Sequence, residues 1–196
     1  MNEPRKHKPL WRWEALLFAL VLLFAIVAGV LPRTQEFGVV TVVSLVLLVV
    51  AIALAVLLVL PLLRRTGRDS ENTRKTIEGV DLVPLPEGST FRVEESRTRQ
   101  GAIEAALAKS RALPTAVLTP DASRWLGREL RVAVELVSDD GVVHRAGFLP
   151  RAVGAPLDAE LLALAERGAA ATVGVVVRGD ARPYTVDVLL GSPSLS

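Results

Sequence analysis

Residues 15–31 read ALLFALVLLFAIVAGVL, and residues 37–63 read FGVVTVVSLVLLVVAIALAVLLVLPLL. Neither stretch contains a charged side chain. A helix needs roughly 20 apolar residues to cross the ~30 Å hydrocarbon core of a bilayer, where each segment must satisfy its own backbone hydrogen bonds. A core helix of a water-soluble domain would have a polar face, which both stretches lack. The sequence therefore predicts a transmembrane helical hairpin over residues 15–63.

The basic residues around these stretches predict the orientation of the hairpin. Lys and Arg number four before the first stretch, one in the connection and five after the second stretch. Because basic flanks tend to stay in the cytoplasm, we expect a two-pass protein of the cell membrane, with the lipid bilayer as a partner and both termini cytoplasmic. Residues 1–14 form the basic cytoplasmic N-terminus, and residues 64–88 form a linker. A cleaved signal peptide is the alternative for the first stretch.

Composition limits the chemistry of the remaining chain. The 196 residues include no Cys, which excludes disulfides, thiolate metal sites and a Cys nucleophile. Residues 1–88 carry 10 basic and 8 acidic side chains, whereas residues 89–196 carry 13 of each. A formally neutral domain is a weak candidate for nucleic-acid binding, which depends on phosphate neutralisation. The abundance of Arg, Ala, Val and Leu is typical of GC-rich bacterial coding.

Residues 89–196 predict one soluble α+β domain of order β-α-β-β-β-α-β-β. Apolar and polar residues alternate in the strands, and the helices show apolar residues on one face. The predicted strands are 91–94, 115–118, 130–136, 142–148, 171–177 and 184–190, and the predicted helices are 97–113 and 156–168. Such a set of mostly antiparallel strands closes most naturally as a small barrel or a curled sheet.

Several segments of this domain resemble the HIRAN family. They are Glu95-Ser96, Gln100 at the start of a helix, Pro120-Asp121 in an extended segment, and GFLPR at 147–151. A helix ending in Gly and a Val-rich hairpin follow, so the resemblance covers residues 91–190. It implies a HIRAN-like domain with a modified OB-type barrel. In some members of the family this domain binds the 3′ end of single-stranded DNA.

The sequence departs from the family pattern at three places. Phe148 replaces the usual Tyr, and Glu94 stands where Gly is expected. Residues 123–126 read SRWL in place of Asn-Pro-Tyr-Asp. Trp125 keeps an aromatic surface on which a base can stack, but Leu126 removes the acidic group, so recognition of a terminal hydroxyl is not expected.

A set of five residues is the candidate ligand or nucleic-acid contact. Its members are Arg97, Arg99, Arg124, Trp125 and Arg128. Arginines beside a stacking Trp favour a polyanion contact. The alternative is a solvated rim with a half-buried Trp over the end of the barrel.

The chain lacks the common sequence signatures of catalysis. His144 is the only His of the predicted domain, and no Cys accompanies it, so we expect no metal site. The sequence contains no Walker loop and no GxGxxG motif after a strand, so we expect no cofactor. A Ser-His-Asp arrangement around His144 is formally possible but lacks a nucleophile-elbow pattern. We therefore expect no catalytic activity.

The expected function is a membrane-anchored cytosolic interaction module with a protein or peptide partner. Membrane-tethered binding of single-stranded DNA is the alternative. A hydrolase is a third hypothesis and requires a pocket that joins His144 to a Ser and a carboxylate.

Overall fold

A computed structural model describes residues 6–9, 13–30, 38–63, 76–124 and 127–191. The chain divides into two compact units. The helical unit comprises residues 7–66 and 125–128, and the sheet unit comprises residues 1–6, 67–124 and 129–196. The predicted connection 32–36, the basic stretch 64–75 and the candidate residue Trp125 lie outside the described residues.

The helical unit contains α1 (Glu14–Val30) and α2 (Val39–Leu63), which contact each other. Ala51 of α2 is buried, whereas Phe18 of α1 and Leu45 of α2 are 61% and 62% exposed. Both helices therefore carry large apolar side chains at their surfaces.

The prediction of a two-pass transmembrane hairpin at 15–63 is wrong. Within the described residues, no helix combines the length and the apolar character that a membrane crossing requires. α1 has 17 residues, and at about 1.5 Å per residue it rises less than the ~30 Å of a hydrocarbon core. The predicted membrane localisation, with both termini in the cytoplasm, depended on this hairpin and is therefore also wrong.

The sheet unit contains seven strands in one sheet and two α-helices in its described residues. The strands are β1 (Asp81–Pro84), β2 (Ser89–Arg92), β3 (Thr115–Ser123), β4 (Leu130–Val137), β5 (Val143–Phe148), β6 (Ala169–Arg178) and β7 (Thr185–Leu190). The helices are α3 (Gln100–Ala108), which follows a 3₁₀ turn at Ser96–Arg99, and α4 (Arg151–Glu166). The sheet order is β2-β7-β6-β3-β4-β5, and β1 pairs in parallel with β6. The other described strand pairs are antiparallel.

The expected closed barrel is not formed, because the sheet has two edges, β2 and β5. A single bridge, Glu94↔Phe148, joins the chain after β2 to β5. Glu95 adopts a left-handed conformation at φ 66°, and the 3₁₀ turn begins at the next residue. The chain therefore leaves the sheet before a longer ladder can form.

Both α-helices of the sheet unit contact the sheet, and its main apolar core includes residues of both. α3 contacts β5 and β4, and α4 contacts β3, β4 and β6. Ile103 of α3 and Leu161 of α4 are buried in this core with Val134 of β4. Alternate strand residues belong to the opposite face, where Arg131 and Glu135 are found.

Most predicted elements are present with shifted boundaries. The helix predicted at 97–113 is a 3₁₀ turn followed by α3, and α3 already ends at Ala108. α4 begins at Arg151 and contains Pro156, which the sequence indicated as its start. Pro150 precedes the first helical residue and breaks the strand, so the helix can begin there. β1 lies within the stretch predicted as a linker, 64–88. The strand was not predicted because its four residues lack clear alternation.

Candidate binding surfaces

The segments around Glu94 and Phe148 meet in the sheet unit. Glu94 N–H donates to the Phe148 carbonyl at 2.8 Å, and Phe148 N–H donates to the Glu94 carbonyl at 3.0 Å. Gly147 has φ 156°, and a Cβ there would collide with the Glu94 carbonyl oxygen. Only Gly permits this approach without strain. The region formed by residues 94–96, 124, 131 and 147–149 is called the motif junction below.

Carboxylates of the motif junction neutralise its arginines. Arg131 donates to Glu94 Oε2 at 2.6 Å, to Glu95 Oε1 at 3.2 Å and to the Leu149 carbonyl at 2.8 Å. Arg124 Nε donates to the same Glu95 Oε1 at 2.8 Å. This hydrogen bond raises the pKa of Arg124 above its ordinary value. Two carboxylates therefore face two guanidinium groups, and the local charge is balanced.

A second ionic group lies deeper on the same face of the sheet. Arg145 donates to Glu135 Oε1 at 3.2 Å and to the Ser123 carbonyl at 3.0 Å, while the Thr119 hydroxyl donates to Glu135 Oε2 at 2.8 Å. Glu135 and Arg145 are 0% and 4% exposed. Phe148 is also buried, and the guanidinium carbons of Arg131 and Arg145 lie 5.1 and 5.6 Å from the centre of its ring. Such distances allow cation–π attraction.

The described members of the predicted contact set belong to two units and have different partners. Arg97 and Arg99 lie on the 3₁₀ turn, and Arg97 is exposed with no ion pair to any described residue. Arg124 is held by Glu95. Arg128 belongs to the helical unit, where its Nε donates to the Lys8 carbonyl at 2.8 Å.

The sequence analysis missed the residues that decide the charge of this region. Arg131 and Glu135 were expected only as polar positions of the alternating strand 130–136, and Arg145 was not singled out. Oppositely charged residues at alternate positions of one strand face, 131 and 135, were the available signal. Their pairing depends on β5 and on Glu94 and Glu95, whose positions are set by the fold.

His144 is near a Ser and an Asp, but their order differs from that of a catalytic triad. Ser138 Oγ lies 3.3 Å from His144 Nε2. The same hydroxyl contacts Asp140 Oδ1 at 2.5 Å and the Val142 carbonyl at 3.0 Å. In a triad the carboxylate orients the His, and the His accepts the Ser proton. Here the carboxylate binds the Ser, which is typical of a hairpin turn.

Two carboxylates of the sheet unit, Asp158 and Asp121, lie within the electrostatic influence of Lys6. The Lys6 ammonium contacts Asp158, which is buried in α4. Burial raises the pKa of Asp121, and the nearby Asp158 charge raises it further.

Among the described residues, no group of three or more His, Cys, Asp or Glu side chains is arranged to hold a metal ion.

An open cleft of about 340 Å³ lies where β3 and β6 diverge. Its lining includes Leu85, which follows β1, Leu113 and Pro114, which precede β3, and Val175 of β6. Leu113 is 60% exposed. The cleft also contains the Glu87 carboxylate, so apolar walls surround a single acidic group.

Searches for related proteins found no matching family model, no matching curated protein and no matching solved structure.

Proposed function

We propose that the sheet unit is a non-catalytic, HIRAN-like module that binds another protein through an extended polypeptide segment. The observation that carries this proposal is the charge balance of the motif junction. Arg124 and Arg131 are already neutralised by Glu94 and Glu95. Binding to phosphates would have to displace these carboxylates, because affinity for nucleic acid comes largely from cations that neutralise phosphate groups.

Three further features support the proposal. The two segments that carry the family resemblance meet at the bridge between Glu94 and Phe148. The Ser138 hydroxyl is committed to the hairpin turn. The cleft beside Leu113 combines exposed apolar surface with the edge of a strand, and extended peptides commonly bind such edges.

A selection experiment tests the proposal. The full-length chain is immobilised and panned against a displayed library of random 12-residue peptides. We expect related peptide sequences to be enriched and to bind in solution with an affinity that changes little between 50 and 300 mM salt, since most contacts are apolar or backbone. Failure of the library to converge on any sequence would contradict peptide binding.

Binding of single-stranded DNA is the second candidate, and the exposed, unpaired Arg97 beside Arg99 favours it. Labelled oligothymidine and the full-length chain distinguish the two functions by fluorescence anisotropy. Real DNA binding would weaken steeply with salt, with a slope of about −0.7 per phosphate neutralised. The affinity for DNA would also be lower in Arg97→Glu. It would be unchanged in Arg167→Glu, which reverses a charge at the end of α4. No binding at high protein concentration would remove this candidate.

A further inference from the structure

The edge of β6 that faces β3 is paired along only part of the strand. Residues 171–173 pair with 116–118 of β3. From Gly174 to Arg178, β6 pairs with β7, and the described ladders contain no partner on the edge that faces β3. An unpaired strand edge leaves backbone donors and acceptors able to bind another extended chain.

Pro114 explains why β3 does not cover this edge. Continuing the β3–β6 register by two residues would set Pro114 opposite Val175. Because Pro has no N–H group, it cannot donate to a strand ladder. Residues 113–115 instead diverge from β6 and form one wall of the cleft. The cleft is thus a consequence of the sequence at the start of β3.

The chemistry of the cleft selects the occupant. Leu113 and Pro114 offer apolar contacts to side chains of an extended peptide, whereas the Val175 side chain is buried in the core. The Glu87 carboxylate projects over β6 at Gly174, and its Oε1 would lie 2.8 Å from a Cβ at that position. Glu87 is exposed and forms no ion pair with any described residue, so a cation of the ligand can approach it.

We propose that this cleft binds an extended peptide that adds a strand to the Gly174–Arg178 edge of β6, with apolar side chains against Leu113 and a Lys or Arg against Glu87. Backbone hydrogen bonds provide affinity in this mode, and the alternating side chains provide specificity. The inference rests on the proposed function, because it names the surface and the class of peptide.

The probe is a fluorescein-labelled peptide enriched by the selection above, added to the full-length chain. We expect its sequence to contain alternating apolar residues and at least one Lys or Arg. Leu113→Arg should weaken binding about ten-fold or more, because it adds a repelling cation and removes apolar surface. Leu82→Arg is the matched control, since Leu82 is an exposed apolar residue of β1 outside the cleft, and it should bind normally.

The acidic contact has its own pair of variants. An exposed ion pair contributes little, so Glu87→Gln should weaken binding about two- to five-fold, and Glu87→Lys more. Glu160→Gln removes the charge of an exposed carboxylate on α4 and should leave peptide binding unchanged. Amide hydrogen exchange of residues 174–178 should slow in the presence of the peptide, which reports strand addition directly.

Each result has a distinct meaning. If the library yields no peptide, the proposed function fails together with this inference. If peptides bind but Leu113→Arg has no effect and exchange at 174–178 is unchanged, only the assignment to the cleft is overturned. If light scattering instead reveals dimers that Leu113→Arg dissociates, the occupant is a second copy of the chain, and the peptide proposal is wrong.

Discussion

The two faces of β4 bury their side chains in opposite ways. Val132, Val134 and Leu136 enter an apolar core between the sheet and the helices. Arg131 and Glu135 alternate with them on the other face and are also largely inaccessible to solvent. One face is stabilised by removing apolar surface from water, at about 25 cal/mol per Å². The other requires that each buried charge find a partner, since an unpaired one is very costly.

This difference shows that alternation along a strand fixes its two faces but not their surroundings. Alternation in the predicted strand 130–136 indicated one apolar and one polar face. In the structure, Glu135 is 0% exposed because Arg145 and Thr119 supply hydrogen bonds from neighbouring strands. Buried pairs of this kind contribute little net stability, yet breaking one is strongly destabilising.

The largest expected effect comes from breaking the deep pair. Glu135→Ala leaves the Arg145 guanidinium buried without its main counter-ion and should lower the free energy of opening the sheet by about 3–5 kcal/mol. Native-state hydrogen exchange of β4 amides measures this. Leu136→Ala, the adjacent residue on the apolar face, should cost about 2–5 kcal/mol through cavity formation.

A double variant sharpens the comparison between the faces. Glu135→Leu with Arg145→Met replaces the whole pair by apolar side chains and should recover most of the stability lost in Glu135→Ala. A double variant as unstable as Glu135→Ala would mean that the polar face depends on its charges for more than mutual compensation.

The second expected effect concerns the close approach at the motif junction. Gly147→Ala should lower the free energy of unfolding by about 3 kcal/mol, because the new Cβ would collide with the Glu94 backbone and the Val93 side chain. Gly141→Ala is the matched control, since Gly141 also has positive φ but no atom within 4 Å of a Cβ; strain alone should cost it about 1 kcal/mol. Urea unfolding compares the two, and equal losses would show that the contact with Glu94 is unimportant.

A smaller effect is expected at the exposed end of the β4–β5 hairpin. The Lys109 ammonium, followed by the Ser138 hydroxyl, holds the pKa of Asp140 well below its ordinary value. A pKa that is lowered in the folded state stabilises the protein when the pH is above the pKa of the unfolded chain, about 3.9. This stabilisation is lost as the pH falls through the pKa of the folded state. Asp140→Asn should therefore flatten the pH dependence of unfolding below about pH 4. An unchanged slope would contradict the pairing.

The smallest effect involves His144. Burial lowers the pKa of His144, the Lys109 charge lowers it further, and Asp140 opposes the shift. The unfolded chain then binds the proton more readily, so stability should fall slightly as the pH drops below about 6.5 towards the lowered pKa. Thermal unfolding between pH 7.5 and 5 should reveal this slope, and His144→Gln should remove it. A slope that persists in His144→Gln would have to come from another group.

The fold of the sheet unit was partly predictable from local patterns. The buried Leu157, Leu161 and Leu164 of α4 lie on the face that helical spacing indicated. The strands predicted at 130–136 and 142–148 were also found close to where alternation placed them. Helix boundaries were less accurate, because Pro156 is tolerated inside α4.

The predicted membrane hairpin and the predicted barrel were wrong for different reasons. Apolar composition alone led to the hairpin, but the described helices lack the combination of length and apolarity that a crossing needs. Barrel closure was expected from the order of strands. The left-handed residue Glu95 limits the contact between the two sheet edges to one bridge, and strand order carries no information on such a local bend.

The candidate site depended even more on tertiary structure. Arg97, Arg99 and Arg124 were recognisable as basic residues, but Glu95 contacts Arg124 across 29 positions and Glu94 contacts Arg131 across 37. The sequence by itself determined where strands and helices form, because backbone preferences and side-chain periodicity act over a few residues. Only the folded sheet decided which carboxylate neutralises which arginine and where an edge of β6 stays open, because these depend on strands brought together from distant parts of the chain.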